Sequence, residues 1–256
     1  MADELKIIKN GVTYTLPTGW SLADSGSYDF NNKLQDRAFA HGSSIVGDGK
    51  VEGRTIVVEF DMQEATEEEH DTAVNQAYQY FAQTDYKLIV GRSDRVYRVA
   101  GLSKIKHKYQ KGFKQRWSNV DVSLLLADPF RYAKAATGVV KIFSAAAEDA
   151  VITVVNNSSV DVPLIWTFTP PAAGTVPSVV ITHVESGQAF RLTDTLLTYP
   201  AVAVVNAEAG TVRRNTGNSL NTFSGIFLHA FPGSNTFKYT GAACKVDIAF
   251  TARWFV

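Results

Sequence analysis

The stretch Asn119–Tyr132, NVDVSLLLADPFRY, constrains the fold of this chain more than any other. Val120, Val122, Leu124 and Leu126 fall on one side of an extended strand and Asn119, Asp121, Ser123 and Leu125 on the other, the two-residue period of a half-buried strand. The strand has to stop at Pro129, which offers no N–H to a ladder and pushes Asp128 out of helical space. Asp128-Pro129 therefore reads as a turn leaving a sheet, followed by the aromatic anchors Phe130 and Tyr132. Before this point the sequence is charge-rich and mixed in pattern; after it, charge-poor and rich in Val, Thr and Ala. Residues 1–132 hold 17 of the 25 Lys/Arg and 18 of the 25 Asp/Glu, which leaves 8 and 7 for residues 133–256. Charge density changes and charge sign does not, so the expected division is a domain over 1–135 and a second over 136–256.

A chain of 256 residues suffices for two ordinary cores. Its formal charge of zero gives no global field toward nucleic acid or an anionic membrane. Asp3, Glu4, Lys6 and Lys9 break up the first ten residues, and no later apolar run reaches about 18 residues, so neither a secretory leader nor membrane insertion is expected. Cys244 is the single cysteine, which excludes an internal disulfide framework and suits assembly in a reducing compartment.

Along the chain, Leu5 and Ile7, then Asn10-Gly11, then Val12, Tyr14 and Leu16 predict a short hairpin with a type I′ turn, pairing Ile7 with Tyr14 and Leu5 with Leu16. Ser25–Gly53 shows little periodicity and reads as a long interaction loop, with Asp48-Gly49 closing a second hairpin into a strand over Thr55–Met62. Thr66 and Glu69 form a capping box, Glu67, Glu68 and Glu69 sit at the positive end of the helix dipole, and Val74, Ala77, Tyr78 and Phe81 mark one buried face. Strands follow at Tyr86–Val90, Arg95–Leu102 and Lys104–Tyr109, then a turn at Lys111-Gly112 and a closing strand over Phe113–Ala127. The first domain is thus a small β-sheet or split barrel crossed by one helix.

From Val139 the pattern is of strands alone: Val139–Phe143, Val151–Val155, Leu164–Phe168, Val179–Val184, Phe190–Thr193, Ala201–Asn206, Thr211–Arg214, Gly225–Phe231, Thr236–Thr240 and Cys244–Phe255. Short strands with Gly, Pro and Asn at the joints predict a two-sheet sandwich of jelly-roll kind.

No reaction centre emerges. GSSIVGDGKV over Gly42–Val51 lacks the glycine that a phosphate loop needs at Ser44 and the hydroxyl it needs at Val51. Glu67–Asp71 around His70 are accounted for by the helix cap, and histidines 41, 70, 107, 183 and 229 have no partner at metal-ligand spacing. No catalytic, metal or cofactor residue is therefore assigned. Lys104, Lys106, Lys108, Lys111, Lys114 and Arg116, interleaved with Tyr109, Phe113 and Trp117, could be a nucleic-acid strip, but the alternation is also that of a hairpin whose one face meets solvent or another subunit, which the neutral domain favours.

VEGRTIVVEF (Val51–Phe60), the capped helix and the strands closing on LLLADPFRY are similar to the N-terminal domain of the distal tail protein family of long-tailed bacteriophages. NNSSVDVPLIWTFTP (Asn156–Pro170), VVITHVESGQ (Val179–Gln188), VNAEAGTVRRNTGNSLNTF (Val205–Phe223), FPGSNTFKYTG (Phe231–Gly241) and the final ARWFV resemble successive strands of that family's galectin-like sandwich. The resemblance implies a mainly β fold, with a ring-forming N-terminal belt domain and a galectin-like jelly-roll sandwich. It implies a non-enzymatic virion component without cofactor: a homo-hexameric ring at the baseplate or tail tip, assembled in the host bacterial cytoplasm. Its partners would be the tail tube protein and tail hub, fibre or receptor-binding proteins, with double-stranded DNA only in transit through the channel. A ring closed head to tail needs contact surfaces. The candidates are the Ser25–Gly53 loop, with Arg37 and Lys50, and the Lys104–Trp117 hairpin, with Lys104, Lys106, Lys108, Lys111 and Phe113. The alternative is a carbohydrate-binding adhesion module, although the His, Asn, Arg and stacking Trp set of a galectin site has no match in the sequence.

Overall fold

The computed structural model describes residues 5–16, 20–36 and 43–255 and divides the chain into two units, Met1–Lys134 and Ala135–Phe255. The first unit holds β1 (Leu5–Lys9), β2 (Val12–Thr15), β3 (Ser21–Asp24), β4 (Phe30–Asp36), β5 (Ser43–Val51), β6 (Arg54–Gln63), α1 (Glu67–Phe81), β7 (Tyr86–Val90), β8 (Arg95–Val99), β9 (Gly101–Tyr109), β10 (Trp117–Leu126) and β11 (Arg131–Ala133). One sheet runs β2-β1-β7-β8-β11, a second runs β3-β6-β10-β9, and among the described residues β4 and β5 pair with each other alone.

The β1–β2 hairpin turns at Asn10 and Gly11 with φ of 50° and 79°, as a type I′ turn requires, and pairs Ile7 with Tyr14. The ladder then continues to Leu16, whose N–H donates to Leu5 O at 3.0 Å. β6 and β10 pair antiparallel from Trp117↔Gln63 to Leu126↔Arg54, so Ile56, Val58 and Phe60 lie beside Leu124, Val122 and Val120 on the buried face. Trp20 stacks on Phe60 with centroids 3.9 Å apart, and Phe81 of α1 lies 6.3 Å from Phe60. Leu5, Ile7, Tyr86 and Leu88 of the other sheet complete this core.

Helix α1 begins as its sequence predicts. Glu69 N–H donates to Thr66 Oγ1 at 3.2 Å and Thr66 N–H to Glu69 Oε2 at 3.1 Å, a closed capping box. Val74, Ala77 and Phe81 are buried, and Tyr78 is only half-buried. Burial of Val74 and Phe81 contributes roughly 2 kcal/mol each, which a 15-residue helix of low intrinsic stability needs.

The second unit contains β12 (Thr137–Phe143), β13 (Ala147–Asn156), β14 (Val162–Pro163), β15 (Ile165–Thr169), β16 (Ser178–His183), β17 (Ala189–Thr193), β18 (Ala203–Asn206), β19 (Thr211–Arg214), β20 (Gly217–Asn218), β21 (Phe223–Gly225), β22 (His229–Ala230), β23 (Gly233–Gly241) and β24 (Cys244–Phe250). They form sheets ordered β12-β24-β15-β18-β19-β20 and β13-β23-β16-β17-β21, plus the pair β14-β22. The inward side chains of both sheets share one core. Trp166 of the first sheet is fully buried there, edge-on to Phe237 and Phe190 of the second at 5.2 and 5.9 Å. The mainly β fold with a sandwich in the second unit is as the sequence implies.

Four local readings need correction. Ser25–Gly53 is not a loop throughout, because β4 and β5 lie within it as a paired ribbon. Asp48-Gly49 does not close a hairpin: it lies inside β5, where residues 48–50 bulge between the pairs Asn32↔Gly47 and Phe30↔Val51. The closing strand begins at Trp117 and not Phe113, because Lys114 and Gln115 adopt φ of 47° and 60°, which a strand does not accommodate. The expected strand Gly225–Phe231 is broken into β21 and β22.

Replacing Thr66 with Ala should lower the stability of the first unit by about 1 kcal/mol, read from urea unfolding followed by circular dichroism. An unchanged midpoint would show that the cap carries no net stabilisation.

Candidate assembly surface

The ribbon β4–β5 is fixed at its root and largely exposed over its described residues. At the root, Arg54, 7 % exposed at the start of β6, donates from Nε to Pro129 O at 2.9 Å and from Nη1 to Ser25 O. Its guanidinium also lies 4.0 Å from the centre of the Tyr28 ring. Gly26 turns the chain with φ of 72°, and a Cβ there would lie 2.3 Å from Thr55 O, so only glycine fits. Glu52 N–H donates to Asp29 O at 2.9 Å and closes the base. Beyond the root, Leu34 and Ile45 face each other across the register and are 76 % and 73 % exposed; Val46 and Phe30 are about half exposed.

The second feature is the outer face of the β3-β6-β10-β9 sheet. Register aligns three cross-strand rows: Asp61–Asn119–Lys108, Glu59–Asp121–Lys106 and Val57–Ser123–Lys104. The Asn119 amide donates to Glu59 Oε1 at 2.9 Å and Asp61 Oδ1 at 3.2 Å. Where β6 meets α1, Trp20, Asp61, Gln63, Glu64, Gln76 and Tyr80 help line an open cavity of about 320 Å³.

The structure brings Lys104, Lys106 and Lys108 together as one exposed row on β9. Lys111 and Phe113 lie in the β9–β10 connection, where Phe113 packs edge-on against Trp117 at 4.6 Å. Lys50 stands apart on β5, 3.3 Å from Asp48, whose carboxyl is held below its usual range first by the Lys50 backbone N–H and then by the Lys50 side chain. Arg37 lies outside the described residues. Sequence reading passed over Leu34, Ile45, Glu59, Asp61 and Glu64; the alternation of Val57, Glu59 and Asp61 was the available signal for part of this set.

Under β9, His107, Tyr109 and the fully buried His70 of α1 form a cluster with centroid separations of 5.8 Å for the two histidines and 4.5 Å for His107 and Tyr109. His70 Nε2 is 2.8 Å from Ser118 Oγ and Nδ1 is 3.9 Å from Asp71 Oδ1. That trio has the residue types of a hydrolytic triad, yet His70 and Ser118 are both 0 % exposed, so no substrate reaches the hydroxyl. Among the described residues no group of three His, Cys, Asp or Glu could hold a metal, and no helix is long and apolar enough to cross a membrane.

In the second unit, His183 Nδ1 lies 2.8 Å from Ser186 Oγ, and its Nε2 lies 3.1 Å from Asn235 Oδ1 and 3.0 Å from Glu185 Oε2. Asn235 Nδ2 donates to Phe231 O at 2.8 Å and Gly233 O at 3.0 Å, so the group pins a turn. His183 and Asn235 are buried, as is Trp166, which leaves none of them open to a sugar. Cys244 is also buried, 3.4 Å from Thr169 O, and burial pushes its thiol up to about 11.

Residues 157–254 match the family described as siphovirus-type tail component, C-terminal domain. The matched residues all lie within the second unit. The resemblance to distal tail proteins read from the sequence agrees with this match. Among solved structures, the Dit protein of phage SPP1, described as a paradigm of hub adsorption apparatus in phages infecting Gram-positive hosts, superposes with a TM-score of 0.71 at 12 % identity, over 97 % of this chain and 98 % of that one. At that identity the likeness is one of fold. The phage P2 baseplate in its activated conformation with Ca gives a TM-score of 0.48 at 8 % identity, over 98 % of each chain. No curated protein sequence matches.

Two outcomes follow from this geometry. Arg54→Met keeps the stem but removes the donors at the ribbon's root, so trypsin should cut after Lys33 or Lys50 about tenfold faster while the rest of the first unit stays resistant; unchanged cleavage would show that Arg54 does not hold the ribbon. Burial, then the neighbouring His70, depresses the affinity of His107 for its proton below the ordinary 6.5. The unfolded chain then binds the proton more readily, so stability is complete above the unfolded value and falls as the pH drops through it toward the lower folded value. His107→Gln should flatten that slope in thermal unfolding; an equally steep slope would assign it to other groups.

Proposed function

We propose that this chain is a distal tail hub: a homo-hexameric ring joining the tail tube to the baseplate or tail tip, with a central channel through which the genome passes. The N-terminal unit is the belt that builds the ring, and the sandwich is a galectin-like outer domain available to hub, fibre or receptor-binding proteins. Its role is mechanical and not enzymatic, its place is the virion tail, and assembly takes place in the host cytoplasm.

One observation carries this reading. A two-stranded ribbon is marginal in water on its own, and this one presents Leu34 and Ile45 side by side to solvent with no described part of the chain paired to it. Such an arm calls for a receiving surface on another molecule. A contact between unlike surfaces of identical chains is heterologous and closes into a ring when the rotation per copy divides the circle. The family match over residues 157–254 supports reading such a ring as part of a phage tail.

Size-exclusion chromatography with light scattering tests it: the purified chain should run at the mass of about six copies, and Leu34→Asp combined with Ile45→Asp should reduce this to single chains. A wild-type chain that stays monomeric at high concentration would overturn the proposal.

A further inference from the structure

The outer face of the β3-β6-β10-β9 sheet separates its charges. Exposed Glu59 and Asp61 share a face of β6, with Glu64 just beyond the strand, and none of the three has a cationic partner among the described residues. Lys104 and Lys108, exposed on β9, have no carboxylate partner among them either; Lys106 reaches Asp121 at 3.9 Å. Neighbouring strands lie about 4.8 Å apart, so the two rows stand roughly 10 Å from each other with β10 between them, close to a physiological screening length. They therefore do little to neutralise each other, while Glu59 and Asp61 repel at roughly 7 Å along one strand, bridged only by the Asn119 amide.

Backbone pairing follows the same division. Among the described residues β9 is an edge strand, bonded to β10 alone. On the other side, β3 covers β6 only at residues 57–59, so among the described residues Phe60–Gln63 pair with β10 alone. That open stretch carries Asp61 and borders the cavity at Glu64.

We infer that the carboxylate margin formed by Glu59, Asp61 and Glu64 receives the Lys104, Lys106 and Lys108 row of a second copy of this chain. The inference rests on the ring reading above and adds the pair of surfaces that joins neighbours. Opposite charge at opposite margins of one sheet is what a head-to-tail contact needs, because each copy offers its lysines to one neighbour and its carboxylates to the other. Six such junctions leave no unmatched row.

The test uses two full-length variants, Lys104→Glu with Lys106→Glu and Lys108→Glu, and Glu59→Lys with Asp61→Lys and Glu64→Lys, each checked for native circular dichroism and melting. Alone, each has margins of one sign, and its light-scattering mass should fall about sixfold from that of the wild-type ring. Mixed in equal amounts, the all-acidic and all-basic variants should restore rings in which the two alternate, which an even-numbered ring permits and a merely unfolded variant cannot do. Folded variants that assemble alone like wild type would overturn the inference and leave the ring standing. So would rings that persist in the lysine variant while binding to a DNA fragment is lost, since the lysines would then face nucleic acid. A wild-type chain that is monomeric throughout would remove both readings.

Discussion

The antiparallel ladder between β6 and β10 is the constraint on which the first unit depends. It carries Ile56, Val58 and Phe60 beside Leu124, Val122 and Val120 on one face and Glu59, Asp61, Asn119 and Asp121 on the other. Because side chains alternate strictly, a slip of one residue would bury four polar groups and expose six apolar ones. Each of those apolar side chains is worth roughly 2 kcal/mol on burial, so the register is held far more firmly than any single surface contact could hold it. The helix, the Trp20 stack and the second sheet all pack on the face this register defines. The charged rows on the reverse follow from the same register and from nothing else.

The elements legible in the sequence are those whose determinants are local. Asn10-Gly11 supplies both positive φ values of its turn, Thr66 and Glu69 close their own box, and Val120 to Leu126 alternate without interruption. The ribbon was illegible for the opposite reason. Leu34 and Ile45 look like isolated apolar residues in polar surroundings, and they become a pair only through a register that spans a bulge at residues 48–50. Gly47 hides it further: a Cβ there would sit 1.8 Å from Asn31 O, so the strand includes a residue that ordinarily argues against one. The lysines of β9 could be read from their spacing, whereas the lack of cationic partners for Glu59 and Asp61 among the described residues depends on which strand lies two positions away. That is a property of sheet order, and the order β3-β6-β10-β9 places residue 101 beside residue 125 but residue 59 beside residue 21.

The two units reach stability by different means. The first mixes ions, aromatics and a capped helix, with Arg54 and Arg131 buried against carbonyl oxygens and tyrosine rings. The sandwich instead packs Trp166, Phe168, Phe190 and Phe237 between its sheets and restricts buried polarity to small networks such as His183–Asn235. Low charge density in the second half is the sequence trace of that difference.

Cys244 gives the sandwich one further property. A thiol whose proton is held up to about 11, shut inside a sheet beside Thr169 O, has almost no thiolate to offer at neutral pH. In an oxidising environment, oxygen and metal traces join accessible sulfhydryls into bridges. Here the single sulfur is sealed from that chemistry, so a disulfide through this chain has to wait for the sandwich to open.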